Sequence, residues 1–188
     1  MIRLETERLV VRDHLPGDLL PMHELLSDRR AMHYLRDIMT DDLDGTRQNL
    51  KTALAECVRP DREKYFFAIT DRESGGYIGE VGYTVLLRTS VGSVANLGYF
   101  ILPEFWSRGY TTEAARTVLD YAFSEGCVVK METGCIRDNG ASEAVMKKLG
   151  MVKEADYTMH VWLDGKLRDR VEYGLTIEQW QRARRGGA

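Results

Sequence analysis

Apolar and polar positions alternate through "IRLETERLVVRD" (residues 2–13), which predicts a strand that Pro16-Gly17 ends. From Asp18 the spacing becomes helical, and "DLLPMHELLSD" predicts a short helix with Pro21 early enough to be tolerated. Leu50, Ala53, Leu54 and Cys57 stand at i, i+3, i+4 and i+7, the apolar stripe of a second helix. "KYFFAIT" and "GYIGEVGYTVLL" are aromatic and β-branched runs around the turn-forming "DRESGG", a predicted hairpin. "SVANLGYFIL" is apolar on both faces, as in a covered strand, and Pro103 ends it. The next helix presents Ala114, Ala115, Val118, Leu119 and Ala122 on one face and stops at Gly126. "CVVKMETGCI" predicts a strand. "DNGASEAVMKKLGM" predicts a short helix with Ala141, Ala144, Val145 and Leu149 inward and Gly150 as its stop. "MHVWLDGKLRDRVEYGLT" predicts a hairpin folded at Asp164-Gly165.

The order is strand, two helices, a three-strand meander, helix, strand, helix, hairpin. The strand-helix-strand unit over residues 93–136 predicts a right-handed parallel crossover, so the sheet is mixed and the class α+β or α/β. At 188 residues, with 44% hydrophobic and 29% charged positions, one domain over 1–188 is expected. Disordered, collagen-like and disulfide-scaffold classes lose their support. No apolar run approaches the roughly 18 to 20 residues of a bilayer span, and the charged start does not read as a secretory signal, so a cytoplasmic protein without membrane contact is expected. Cys57, Cys127 and Cys135 lack zinc-type spacing and read as buried small apolar residues, with no metal expected. A net charge of −3 gives no field for nucleic acid, and the terminal "QRARRGGA" (181–188) reads as a solvated, flexible tail.

One stretch changes this picture. "FWSRGYTTEAARTVLDYAF" (105–123) sets a cation, a glycine and two threonines at the mouth of a helix. A helix start leaves N–H groups unpaired and favours anions, Gly109 lets a ligand approach the backbone, and Arg108 adds a full charge. The stretch can serve as a phosphate cradle, but taken alone it reads more simply as a solvated loop with a threonine cap. It has neither the Lys-Ser/Thr end of a P-loop nor the three glycines of a dinucleotide fingerprint.

"PEFWSRGYTTEAARTVLDYAF" resembles the acyl-CoA-binding motif of the GNAT superfamily of acetyl-CoA-dependent N-acetyltransferases, and "NGASEAVMKKLGM" resembles the asparagine-led helix that follows it there. "LETERLVVRD" and "WLDGKLRDRVEYGL" are similar to the branch of ribosomal-protein N-terminal (alanine/serine) acetyltransferases. The resemblance implies a single GNAT-like domain, a mixed and mostly antiparallel central sheet flanked by helices. It also implies that backbone N–H groups of Arg108, Gly109, Tyr110, Thr111 and Thr112 bind the pyrophosphate of acetyl-CoA. Phe100, Ile101 and Leu102 would pair with the pantetheine arm through their backbone, Asn139 would hydrogen-bond that arm, and Ser142 would lie near the thioester sulfur. This chain departs from the family at Thr111, where glycine or alanine is commoner, at Asn96, where relatives often carry glutamate, and at Met146, where the wider superfamily has tyrosine.

Amide formation from a thioester needs a neutral amine, a donor for the developing oxyanion and stabilisation of the departing thiolate. At pH 7 an α-amine of pKa about 8 is roughly one-tenth neutral, whereas a lysine near 10.4 costs about 4.6 kcal/mol to deprotonate. The expected acceptor is therefore a protein N-terminal α-amine, with polyamines and aminoglycosides as alternatives. Because Asn96 cannot serve as a carboxylate base, Glu80 is the substitute candidate, with Ser142 for the thiolate; a solvent-facing Glu80 and a merely capping Ser142 stay open. His33 and His160 read as surface or wall residues, Glu113 as a complement to the helix dipole. "MHYLRD" and "GEVGYTV" are expected to border the acceptor groove. A non-catalytic acyl-CoA-binding module and an ATP-binding protein are the competing readings, and exposed strand edges leave both a homodimer and a monomer open.

Overall fold

The computed structural model describes residues 1–186. The predicted first strand is two: β1 (Arg3–Glu5) and β2 (Leu9–Asp13) pair antiparallel with Leu4 opposite Val11. Thr6 makes the turn between them, its N–H donating to the Leu9 carbonyl at 2.9 Å and its hydroxyl accepting from the Leu9 N–H at 2.8 Å. A 3-10 turn at Pro16–Asp18 leads into α1 (Leu19–Ser27), and Asp42 caps α2 (Leu43–Cys57) by accepting from the Gly45 N–H at 2.8 Å. Next come β3 (Lys64–Asp71), β4 (Tyr77–Thr89) and β5 (Gly92–Ile101), the expected meander, then α3 (Tyr110–Ser124) and β6 (Val128–Ile136). After α4 (Gly140–Lys148), β7 (Val152–Leu163) and β8 (Lys166–Thr176) form the predicted hairpin, and α5 (Ile177–Gly186) ends the described chain.

The fold is α+β, with eight strands hydrogen-bonded in the order β1-β2-β3-β4-β5-β6-β8-β7. The β5–β6 pair is parallel, as the crossover requires, and β1–β2, β2–β3, β3–β4, β6–β8 and β7–β8 are antiparallel. Two compact units share these elements, Met1–Thr84 with Gly98–Val118, and Val85–Leu97 with the chain from Leu119 onward.

In the first unit, α1 and α2 pack on each other and α2 packs on β2 and β3. Met22, Leu25, Leu26, Met32, Leu50 and Leu102 form one buried cluster there. Met32 thus puts the start of "MHYLRD" into the core rather than along a groove. Glycine in "GEVGYTV" is required by close approach: a Cβ on Gly79 would lie 2.4 Å from the Phe100 carbonyl, and one on Gly82 2.0 Å from that of Tyr65.

In the second unit, Asp164 and Gly165 both take positive φ, 49° and 74°, the two-residue turn the sequence predicted. Strand β7 starts at Val152, well before the predicted Met159. The inward face of α4 also differs from expectation: Met146 and Leu149 are buried while Ala141 and Ala144 are exposed. Residues 181–186, expected as flexible tail, are helical, and 187–188 lie outside the described residues. The reason is a capping box, in which the Thr176 N–H donates to Gln179 Oε1 at 2.8 Å and the Gln179 N–H donates to Thr176 Oγ1 at 3.3 Å. Trp180 then buries itself against Phe123 and donates from its indole to Asp120 at 3.2 Å. Of the cysteines only Cys135 is buried; Cys127 is exposed in a left-handed conformation and Cys57 is half-buried, correcting the expectation for those two. Among the described residues no helix is long and apolar enough to cross a membrane.

Candidate active site

The expected cofactor residues fall into a group in each unit. In the first unit, a 3-10 turn (Pro103–Phe105) and an exposed loop deliver the chain to α3. Ser107 and Gly109 both have positive φ, 60° and 82°, on either side of Arg108. Alternation of this kind turns successive N–H groups to one side and makes an anion-binding concavity. The first intrahelical bond of α3 runs from the Glu113 N–H to the Gly109 carbonyl at 3.0 Å, so the N–H groups of Tyr110, Thr111 and Thr112 precede it and have no acceptor within the helix. This exposed helix start, with Arg108 and Gly109 at its tip, fits a diphosphate. Of the pantetheine-arm candidates, the Leu102 N–H donates to the Ile78 carbonyl at 2.9 Å, and the Ile101 carbonyl accepts from the Trp106 indole at 3.0 Å with a second lone pair remaining.

Sequence reasoning passed over the residue that holds this loop. The Arg8 guanidinium donates from Nη1 to the Arg108 carbonyl at 3.1 Å, and from Nε and Nη2 to Glu113 Oε2 at 2.8 and 2.6 Å. It also lies 4.5 Å over the Tyr110 ring. Thr6 and the Arg8 N–H donate to Glu113 Oε1 at 2.5 and 3.2 Å. Burial pushes the Glu113 carboxyl up, but Thr6 and Arg8 outweigh it and hold the group below its ordinary value. Glu113 is therefore an anchor for the β1–β2 turn as well as a dipole partner.

Glu80 is not solvent-facing. It is 7% exposed, accepts from the Tyr77 hydroxyl at 3.0 Å, and lies 3.8 Å from Nε2 of His14. The other His14 nitrogen is 3.5 Å from Asp18, which Arg12 grips with two bonds of 2.8 Å. Burial pushes the Glu80 carboxyl up, opposed by His14 and the Tyr77 hydroxyl. Asp18 goes the other way: burial resists its charge, yet Arg12, His14 and the Leu15 N–H hold it well below the carboxylate range. His14, missed in the sequence, is the polar residue that follows the buried run of β2, and its position after "VVRD" was the one available signal.

In the second unit, Asn139 caps α4, its Oδ1 accepting from the Ser142 N–H at 3.2 Å. Ser142 is half-buried, and Cys135 lies beneath with its thiol 3.7 Å from the Asn139 carbonyl and pushed up by burial. The next residue, Glu143, accepts from the Tyr173 hydroxyl at 2.6 Å and pairs with Lys147 at 3.1 Å. Those contacts lower Glu143 to about 2, while burial and Glu143 push Tyr173 up to about 12. Met146 is fully buried and carries no polar group to the site. Asn96 is half-buried on β5, opposite Glu132 of β6. His33 packs edge-on against Tyr34, and exposed His160 stacks on Tyr157.

A glycine-bearing helix start after a central strand, in a mixed sheet of this order, suits a protein that binds a diphosphate-bearing cofactor such as an acyl-CoA. The acetyltransferase (GNAT) domain family matches residues 8–152, and the chain belongs to that family. It is 24% identical over 179 residues to the uncharacterized N-acetyltransferase YnaD of Bacillus subtilis, covering 95% of this chain and 99% of that one. Two solved structures share its fold with a TM-score of 0.81 and 19% identity each. The ribosomal-protein-S5-alanine acetyltransferase of Vibrio fischeri covers 96% of this chain and 99% of its own. The spermidine N-acetyltransferase of Vibrio cholerae, solved with CoA and spermine, covers 94% and 99%. The protein is an acetyl-CoA-dependent N-acetyltransferase.

Proposed function

We propose that the acceptor is a protein N-terminal α-amine and that Glu80 is the base that deprotonates it. The observation that carries this reading is the burial of Glu80, which holds its carboxyl above the ordinary value and makes it a stronger base. An α-ammonium of pKa about 8 asks less of such a base than a lysine-type ammonium near 10.4. The similarity to an alanine acetyltransferase supports the same acceptor. A polyamine is the second reading, favoured by the similarity to a spermidine acetyltransferase.

In the proposed reaction the neutral amine forms a C–N bond to the acetyl carbon, the C–S bond breaks, and the nitrogen gives up its surplus proton. The departing thiolate, hydrogen-bonded by the Ser142 hydroxyl, takes up that proton to leave as the free thiol. Backbone N–H groups from Arg108 to Thr112 hold the pyrophosphate. Phe100, Ile101 and Leu102 line the pantetheine arm, and Asn139 binds it. The test is release of free CoA thiol with peptides beginning in alanine or serine, set against spermidine and an aminoglycoside. Faster turnover of the peptides is expected; turnover of spermidine alone would overturn the α-amine reading.

A further inference from the structure

His14 is fully buried, and neither ring nitrogen makes a hydrogen bond among the described residues. Leaving two such groups unpaired is costly, so their surroundings matter. Each nitrogen faces a carboxylate oxygen: Nδ1 that of Asp18 at 3.5 Å, from the 3-10 turn, and Nε2 that of Glu80 at 3.8 Å, from β4. The remaining charged and titratable groups of the cluster are Arg12 of β2, on Asp18, and Tyr77 of β4, on Glu80. Arg12 and Asp18 cancel. An ionised Glu80 is then the one uncompensated charge in a buried chain, and a single proton, on Glu80 or on His14, neutralises it. With the proton on His14, both ring N–H groups face acceptors and Glu80 is a free carboxylate.

We propose that His14 is a positioning residue for Glu80, its Nε2 facing the carboxylate so that it receives the proton Glu80 takes from the acceptor ammonium. The inference rests on the reading of Glu80 as base. In the step, the N–H bond of the ammonium breaks, its electron pair stays on nitrogen, and Glu80 takes the proton. The pair enters this step with Glu80 ionised and His14 neutral, its Nε2 lone pair facing Glu80. The proton passes from Glu80 to Nε2, which restores the carboxylate, and water removes it from His14 before the next turnover. Tyr77 occupies the other carboxylate oxygen and stabilises the ionised form.

The test is kcat/KM against pH for the wild type, His14→Gln, Tyr77→Phe and Glu80→Gln, with KM for acetyl-CoA, beside nitrogen-15 resonances of the histidine rings in the wild type. His14→Gln is expected to lower kcat/KM roughly 100-fold near neutral pH, within the range for proton-transfer groups, with KM for acetyl-CoA unchanged. Removing the imidazole leaves burial less opposed, so the acidic limb moves to higher pH, and Tyr77→Phe moves it the same way by less. A residue that only packs would lower activity without moving the limb. An unmoved limb in a folded His14→Gln overturns the inference, as does a His14 ring that stays neutral across the acidic limb in the wild type. Wild-type activity in Glu80→Gln removes the base reading itself, an outcome distinct from normal loss there with an unmoved limb in His14→Gln.

Discussion

Arg8 and Glu113 are joined by two hydrogen bonds of 2.8 and 2.6 Å, and through them the turn between β1 and β2 fixes the first turn of α3. The same guanidinium holds the Arg108 carbonyl, so one side chain sets the backbone of the proposed pyrophosphate site. The pair is partly exposed, and such pairs contribute at most about 1 kcal/mol to stability. Its consequence is positional. Arg8→Ala is expected to weaken acetyl-CoA roughly tenfold, the worth of one charge-assisted bond, with kcat and thermal midpoint little changed. Calorimetric titration with acetyl-CoA checks this. Arg8→Lys should not rescue it, because an ammonium cannot span carboxylate and carbonyl together.

Gly109 supplies the left-handed turn of that loop, φ 82°. A Cβ there would meet only Arg8 Nη2 at 3.6 Å, an ordinary contact, so the penalty for alanine is backbone strain of about 1 to 2 kcal/mol rather than crowding. Gly109→Ala should lower the thermal midpoint slightly and acetyl-CoA affinity more, since relief of the strain rotates N–H groups out of the cradle. Equal losses in both would mean that the loop does not touch the ligand.

What could be read in the sequence was whatever repeats or punctuates. The α3 face from Ala114 to Ala122 and the Asp164-Gly165 turn follow from periodicity and positive φ, and both are found. The split of the first strand at Thr6 was hidden because its polar residues continue the alternation, and only a side-chain bond to Leu9 reveals the turn. Helix α5 was legible in "TIEQ", a capping box eclipsed by the basic run after it. Long-range pairs left no local trace: Arg8 meets Glu113, and His14 meets Glu80, only once strands have paired.

Asn139 carries two separable duties. Its Oδ1 caps α4 through the Ser142 N–H, and its Nδ2 is the donor proposed for the pantetheine arm. Asn139→Ala removes both, costing about 1 kcal/mol of stability as well as affinity. Asn139→Asp keeps the cap and deletes the donor, so the thermal midpoint should hold while acetyl-CoA binding weakens. A binding constant unchanged in Asn139→Asp would leave the residue as a cap alone.

Ser142 lies in the first turn of α4 beside the Cys135 thiol. If its hydroxyl serves the departing thiolate, Ser142→Ala lowers kcat roughly 10- to 100-fold with acetyl-CoA affinity nearly intact. Single-turnover rates with a saturating peptide acceptor separate the two quantities, and an unchanged rate would take Ser142 out of the chemistry.

The two carboxylates beside His14 should pull stability in opposite directions with pH. Asp18 is held below its ordinary value, so its contribution is complete above about pH 4, the unfolded value, and is lost as pH falls through that range toward the folded one. Glu80 is raised, so the folded protein binds its proton more tightly than the unfolded chain does, and stability declines as pH climbs from the ordinary carboxylate value through the raised one. Asp18→Asn leaves half-buried Arg12 without its partner and should cost about 2 kcal/mol at pH 7, a deficit that shrinks below pH 4 as the wild type loses the same pair. Glu80→Gln should do the reverse, closing on the wild type or overtaking it as pH rises. Urea unfolding of the three proteins across pH 3 to 9 reads both slopes. Parallel curves for Glu80→Gln and the wild type would mean that Glu80 ionises in the folded protein as freely as in the unfolded chain, and burial would not have tuned it as a base.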